Sequence, residues 1–151
     1  MRVRWLNIPP VWLALALVIA YLQARYVHFG LSLSHPLKDM VAGLSIGAGV
    51  LLLALAVIEM RRQRTAVIPH READHLVTTG VFKWTRNPIY LGDAMVMLGF
   101  ILHWDAMLSL AILPIFIMAI DYEFIVHEED RLRRKFRSDF ERYMRDTRRW
   151  I

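Results

Sequence analysis

From Met40 to Ile58 the chain runs without a single charged side chain. As a helix that stretch is about 28 Å long, close to the thickness of a bilayer's hydrocarbon core. It is one of four apolar runs in 151 residues, and a soluble domain of that size lacks the interior to hide them all. The first goes from Ile8 to Leu22, opens on Pro9-Pro10 and meets no charge until Arg25. Trp5, Trp12, Tyr21 and Tyr26 flank it like interface anchors, and with no small-x-small cleavage site it reads as a retained helix. The last two, Ile89 to Trp104 and Ala106 to Ile120, are separated only by Asp105 and read as a short helical hairpin. Gly43, Gly47 and Gly49 with Ser45 give the second run a small-residue face for close helix packing.

Charge placement orients the runs. Four spans put the N-terminus, the Glu59–Asn87 loop and the C-terminal segment on one side, which holds every Lys and Arg except Arg25 and Lys38. The positive-inside rule then places both termini in the cytoplasm and the chain in the inner membrane. The net charge of +5 is thus accounted for by topology, and a nucleic-acid partner is not expected. There is no cysteine, which excludes disulfide frameworks and thiolate catalysis, and no histidine pair has ligand spacing, so no metal site is expected.

Past the fourth span, Asp121 to Arg145 reads as a further helix. Leu132, Phe136, Phe140, Tyr143 and Thr147 recur at helical spacing, and Arg131, Arg133, Arg134, Lys135, Arg137, Arg142 and Arg145 take the opposite side. Such a helix lies along the cytoplasmic interface, its apolar face toward lipid or the rest of the protein. The expected architecture is therefore all-α and polytopic: about four transmembrane helices, the last two a hairpin, plus a C-terminal amphipathic interfacial helix. It forms one domain over 1–151.

Chemistry concentrates where the third run begins. Gly80 permits a tight turn, Asn87 suits a helix cap and Pro88 the first helical position. The backbone N–H groups of that helix start, beside Arg86, form a natural receptor for a carboxylate or phosphate. Acids cluster nearby: Asp93 about one turn into the run, then Asp121, Glu123, Glu128 and Glu129. A charge at the depth of Asp93 is costly and usually functional. Glu128 and Glu129 lie about 100° apart on a helix, so at most one faces a given pocket. The expected split turns Glu128 into the site and pairs Glu129 with Arg133 at i+4. Arg148-Arg149-Trp150-Ile151, taken alone, reads as an interface-anchoring tail.

Taken together, Arg86-Asn87-Pro88-Ile89-Tyr90-Leu91-Gly92, then Glu128-Glu129-Asp130-Arg131-Leu132-Arg133-Arg134-Lys135-Phe136, then Arg149-Trp150 resemble the isoprenylcysteine carboxyl methyltransferase family. The likeness covers roughly residues 65–151. It implies a membrane methyltransferase that uses S-adenosylmethionine. It implies a cofactor pocket of His75, Leu76, Val77, Phe82, Asn87, Pro88, Ile89, Tyr90 and Glu128; the chemistry of the residues themselves puts Arg86 and Glu129 in catalytic roles. The implied acceptor is a lipophilic small molecule or a lipid-modified substrate that enters from the bilayer, with membrane lipids as further partners. A carboxylate acceptor needs only orientation, as by Arg86. An amine or hydroxyl acceptor needs a base, for which Glu129 and Asp93 are the candidates.

Two departures from the family pattern are at Asn87, often His in eukaryotic members, and at Arg137, often Gly there. A third is Phe124, standing where members that methylate prenylcysteine carry an arginine linked to the substrate carboxylate. Phospholipid N-methyltransferases share a similar pattern and are the close alternative. A sterol-reductase-like NADPH enzyme and a non-enzymatic membrane subunit are the more distant ones.

Overall fold

The computed structural model describes residues 8–27, 30, 32, 33, 35–65 and 74–151. Arg2, Arg4 and Trp5, expected to flank the first span, lie outside them. Among the described residues the structure is helical, with no strand. In chain order it has α1 (Pro9–Tyr26), α2 (Pro36–Arg62), a 3₁₀ turn (Gly80–Lys83), α3 (Pro88–His103), a second 3₁₀ turn (Met107–Ala111), α4 (Ile112–Ile120), a π turn (Asp121–Ile125) and α5 (Val126–Asp146). Two helical runs, Pro36–Arg62 and Met107–Asp146, are long and apolar enough to cross a membrane, and Pro88–His103 is a shorter apolar helix.

Proline begins three of these helices. Pro9, Pro36 and Pro88 each sit in the first turn, where the missing N–H would have had no intrahelical partner. Two helices end on a left-handed residue. At the close of α2, Arg64 has φ 51°, Thr65 N–H donates to Met60 O at 3.1 Å and Arg64 N–H to Arg61 O at 3.1 Å. At the close of α3, Asp105 has φ 58°, with Ala106 N–H to Ile101 O at 2.9 Å and Asp105 N–H to Leu102 O at 3.2 Å. Both are Schellman closures, which satisfy the last carbonyls of the helix.

The hairpin's second arm is not α-helical from Ala106. The ring of Pro114 conflicts with the carbonyl four residues earlier, so Met107–Ala111 winds as 3₁₀ and α4 has only nine residues. As expected, the helix continues past Ile120. The π turn carries it into α5 without a break, and π turns of this kind commonly re-aim side chains at functional sites.

α3 is the axis of the bundle. One face meets α2 nearly backbone to backbone: a Cβ on Gly49 would lie 2.8 Å from Gly92 O, and one on Gly99 would lie 2.8 Å from Ala42 O. Ser45 Oγ donates to Met95 O at 2.7 Å across the same seam. The small-residue face expected on α2 is therefore only partly used. Gly43 and Gly47 have nothing within 4 Å of a built Cβ, because they lie on the side of α2 turned away from α3. The other face of α3 packs Tyr90, Met97 and Ile101 against Ala16 and Ala20 of α1 and Phe116, Ile120, Phe124 and Ile125.

At the far end of the bundle from the α3 start, Asp105 binds Ser32 Oγ, Leu33 N at 3.1 Å and Lys38 Nζ at 3.2 Å. The hydrogen bond from Ser32, then those from Leu33 and Lys38, hold its carboxyl below the usual carboxylate range. Gln23 Oε1 accepts from Ser109 N at 3.1 Å and Ser109 Oγ at 2.9 Å, tying α1 to the same corner.

The apolar stripe of α5 turns toward the protein. Phe140 and Tyr143, with Leu132 and Phe136 beside them, pack on Ala56, Val77, Val81 and Phe82, and Thr147 is buried. α5 is not one straight rod, since Arg137 takes φ 45°, ψ −116° inside it. That backbone favours glycine.

Candidate active site at the start of α3

The turn into α3 is fixed from below by Gly80. Its φ of 60° suits a residue without Cβ, and a Cβ there would lie 3.0 Å from Glu59 Oε2. Thr79 Oγ1 donates to Glu59 Oε1, so the turn is fastened to the end of α2. This places Val77, Val81 and Phe82 in the cluster with α5, and brings Leu76 and Ile89 beside them. Tyr143 OH donates to Phe82 O at 2.6 Å, which closes that wall.

From above, the turn is fixed by the chain's last described residues. Arg86 N–H donates to Arg148 O at 3.0 Å. Thr85 Oγ1 and Asn87 Nδ2 both donate to Arg149 O at 3.0 Å. Asn87 therefore occupies the cap position without capping: no side-chain hydrogen bond to the helix start forms, because its amide is turned to the tail. Thr85 Oγ1 accepts from Asn87 N–H at 3.1 Å instead. The closing tail is thus a strap across the helix start rather than a simple surface anchor.

Beneath the strap lies a four-member ion network. Glu129, only 6% exposed, receives Arg86 Nε at 3.2 Å and Nη2 at 3.0 Å on Oε1. The same carboxylate receives Arg149 Nε at 3.2 Å on Oε1 and Nη2 at 2.6 Å on Oε2. Arg149 Nη1 also binds both oxygens of Asp121, at 3.2 and 3.1 Å. Arg86 Nη1 donates to Met144 O at 3.2 Å and to Thr147 O. The expected Glu129–Arg133 pair does not form. Arg133 lies 3.6 Å from Asp130 instead, because Glu129 points inward, where two guanidiniums compensate its burial. The Glu129 hydrogen bond comes first among the causes that hold the Arg149 guanidinium above its ordinary pKa.

Glu128, one residue earlier, takes the other direction. Its Oε2 accepts from Tyr90 OH at 3.1 Å, and the Tyr90 ring stands 6.4 Å from that of Phe124. Phe124 itself is buried, edge-on to Trp12 at 6.0 Å. So the residues singled out in the sequence form two groups on either side of the first turn of α3. Leu76, Val77, Phe82 and Ile89 make an apolar wall toward α5. Tyr90 and Glu128 make a polar pair on the other side, with Asn87 and the fully buried Pro88 between. His75 joins through its backbone, N–H to Thr65 Oγ1 at 3.5 Å, and its side chain is exposed. Arg149 and Thr85 were given no site role from the sequence, and Asp121 was noted only as one of the acids near the helix start. The only signal for Arg149 was its place in the closing Arg-Trp.

A family model for phospholipid methyltransferase matches residues 37–139, a stretch that includes α2, α3 and the Glu128-Glu129 pair. That family is related to the isoprenylcysteine carboxyl methyltransferase-like membrane enzymes. No curated protein and no solved structure matches the chain.

Proposed function

The chain belongs to the phospholipid methyltransferase family, and on that premise we propose that this membrane methyltransferase acts on the amine of a phospholipid headgroup. The family's methyl donor is S-adenosylmethionine. It supplies an electrophilic methyl carbon, whose bond to sulfur breaks with the pair kept by sulfur as the acceptor's lone pair takes the carbon.

The donor set suits that molecule. The wall of Leu76, Val77, Phe82 and Ile89 offers an apolar surface for an adenine. The Glu128 carboxylate, oriented by Tyr90, offers an acceptor for ribose hydroxyls or an ammonium. The unpaired N–H groups of the first turn of α3 offer donors for a carboxylate. Arg86 and Glu129 serve in this reading as positioning residues, because their charged atoms are engaged with each other and with the strap.

The single observation behind an amine acceptor is the commitment of both arginines. Orienting a carboxylate acceptor calls for a free cation, but Arg86 and Arg149 are bound to Glu129 and Asp121, and Phe124 stands where prenylcysteine-methylating relatives have arginine. The test is chemical. Protein in vesicles containing phosphatidylethanolamine, given labelled S-adenosylmethionine, should yield lipid label that survives mild alkali, as an N-methyl does. Label released as methanol would mark a carboxyl ester and overturn the amine reading.

The same reading has four spans (α1, α2, α3 and the α4 region), both termini on the cytoplasmic side of the inner membrane, and the site at the cytoplasmic interface. Reporter fusions after Thr65 and at the C-terminus should both report cytoplasm. An external C-terminus would overturn it.

A further inference from the structure

Asp93 is 5% exposed, and its Oδ2 has no hydrogen-bond partner among the described residues. The other acids nearest the strap are satisfied: Asp121 by Arg149, Glu128 by Tyr90, and Glu129 by two arginines. A buried carboxyl oxygen without a partner costs stability in any interior, and more at membrane depth. An apolar side chain in its place would hold the helix as well, so packing does not explain an acid here.

Its position does. Asp93 lies five residues past Pro88, about 7.5 Å along the helix axis, and side chains on a helix lean back toward its N-terminus. It follows Tyr90 by three residues, so the two share a face of α3. The carboxyl therefore lies just inside the bilayer from the Tyr90–Glu128 pair, at a depth reached by the headgroup of a lipid entering from the membrane.

Building on the amine-acceptor reading above, we propose that Asp93 binds the headgroup ammonium and takes its proton. The N–H bond breaks with its electron pair left on nitrogen, the proton bonds to Oδ2, and water removes it after the product leaves. The pair left on nitrogen is the nucleophile that methyl transfer requires, since a protonated amine has none. Both carboxylate oxygens of Glu129, the other candidate base, are already engaged by Arg86 and Arg149.

The test compares the full chain with Asp93→Asn and Asp93→Glu in vesicles of phosphatidylethanolamine and phosphatidylcholine. Asp93→Asn should bind S-adenosylhomocysteine with the parent's affinity and melt at the same or a higher temperature. It should lose at least 100-fold in kcat for phosphatidylethanolamine, and Asp93→Glu should recover part of that. Parent-like turnover in Asp93→Asn overturns the proposal while leaving the amine reading in place. A lower melting temperature in both variants also overturns it, assigning Asp93 to the fold. A parent that puts no alkali-stable methyl on phosphatidylethanolamine overturns the amine reading, and the role of Asp93 falls with it.

Discussion

Arg149 lies twenty residues beyond Glu129 in the chain, yet its Nη2 stands 2.6 Å from Glu129 Oε2. Through that contact the C-terminal tail, α5 and the turn before α3 share one charge. Glu129 is the pivot of the network, because Arg86 binds the same carboxylate.

Removing the Glu129 charge leaves two guanidiniums facing each other with only Asp121 beside them. Breaking a fully buried pair costs about 3–5 kcal/mol, and the partial exposure of Arg149 reduces that to about 2–4 kcal/mol. Glu129→Gln should therefore lower the melting temperature of detergent-purified protein markedly, and should weaken S-adenosylhomocysteine binding only as far as the strap loosens. A parent-like melting curve would mean that the network contributes nothing to the fold.

Glu128 should behave in the opposite way. Glu128→Gln keeps the side chain's shape and removes a charge oriented toward the proposed cofactor position. Affinity for S-adenosylhomocysteine should fall by about 1.5–3 kcal/mol, the scale of a charged hydrogen bond, with the melting temperature nearly unchanged. Tyr90→Phe should cost about 0.5–1.5 kcal/mol of the same affinity, since it removes only the orienting hydroxyl. Calorimetric titration of the three proteins checks both values.

The seam between α2 and α3 gives a paired prediction. Gly99→Ala puts a methyl against Ala42 O and Ile46 and should cost about 1–3 kcal/mol by overpacking. Gly47→Ala meets open space inside α2 and should match the parent or exceed it by up to about 1 kcal/mol. Equal melting temperatures for the two would mean that α2 and α3 do not touch as described.

Those glycines also show how far sequence reasoning reached. Composition gave the helical class, and prolines gave the starts of α1 and α3, because apolar runs and prolines are local signals; α2 begins at Pro36, ahead of the run from Met40, and α4 only at Ile112. Tyr90 and Glu128, which the resemblance assigns to one pocket, hydrogen-bond to each other across α3 and α5. Which α2 glycines pack was not legible: Gly43, Gly47 and Gly49 look alike until the partner helix brings Gly92 and Gly99 to one side. The pairing of Glu129 with Arg86 and Arg149 was hidden for the same reason. An i+4 partner, Arg133, was available locally, and only the folded tail offered a better one.

The far corner responds to acid. Asp105 has a carboxyl held below the usual range by Ser32, Leu33 and Lys38, so it is charged in the folded state at pH values where the unfolded chain is already protonated. Its contribution to stability is full above the unfolded value of about 3.9 and is lost as pH falls through the lower folded value. Asp105→Asn should therefore melt below the parent near neutral pH, and the gap should close as the medium is taken below about pH 4. A gap independent of pH would assign the effect to the left-handed turn rather than to the charge.

The near-contact of Gly49 with Gly92 also decides which part of the bundle moves. Two helices touching through their backbones have no side chains that can swing aside, so α2 and α3 travel as one body. The opposite flank of α3 is built from Trp12, Met97, Phe116 and Phe124, whose side chains can change rotamer on fast timescales while helices shift more slowly. On the amine-acceptor reading proposed above, a lipid tail entering the site would part α1 from the α4–α5 run. The α2–α3 pair stays behind as the fixed wall against which the headgroup is presented.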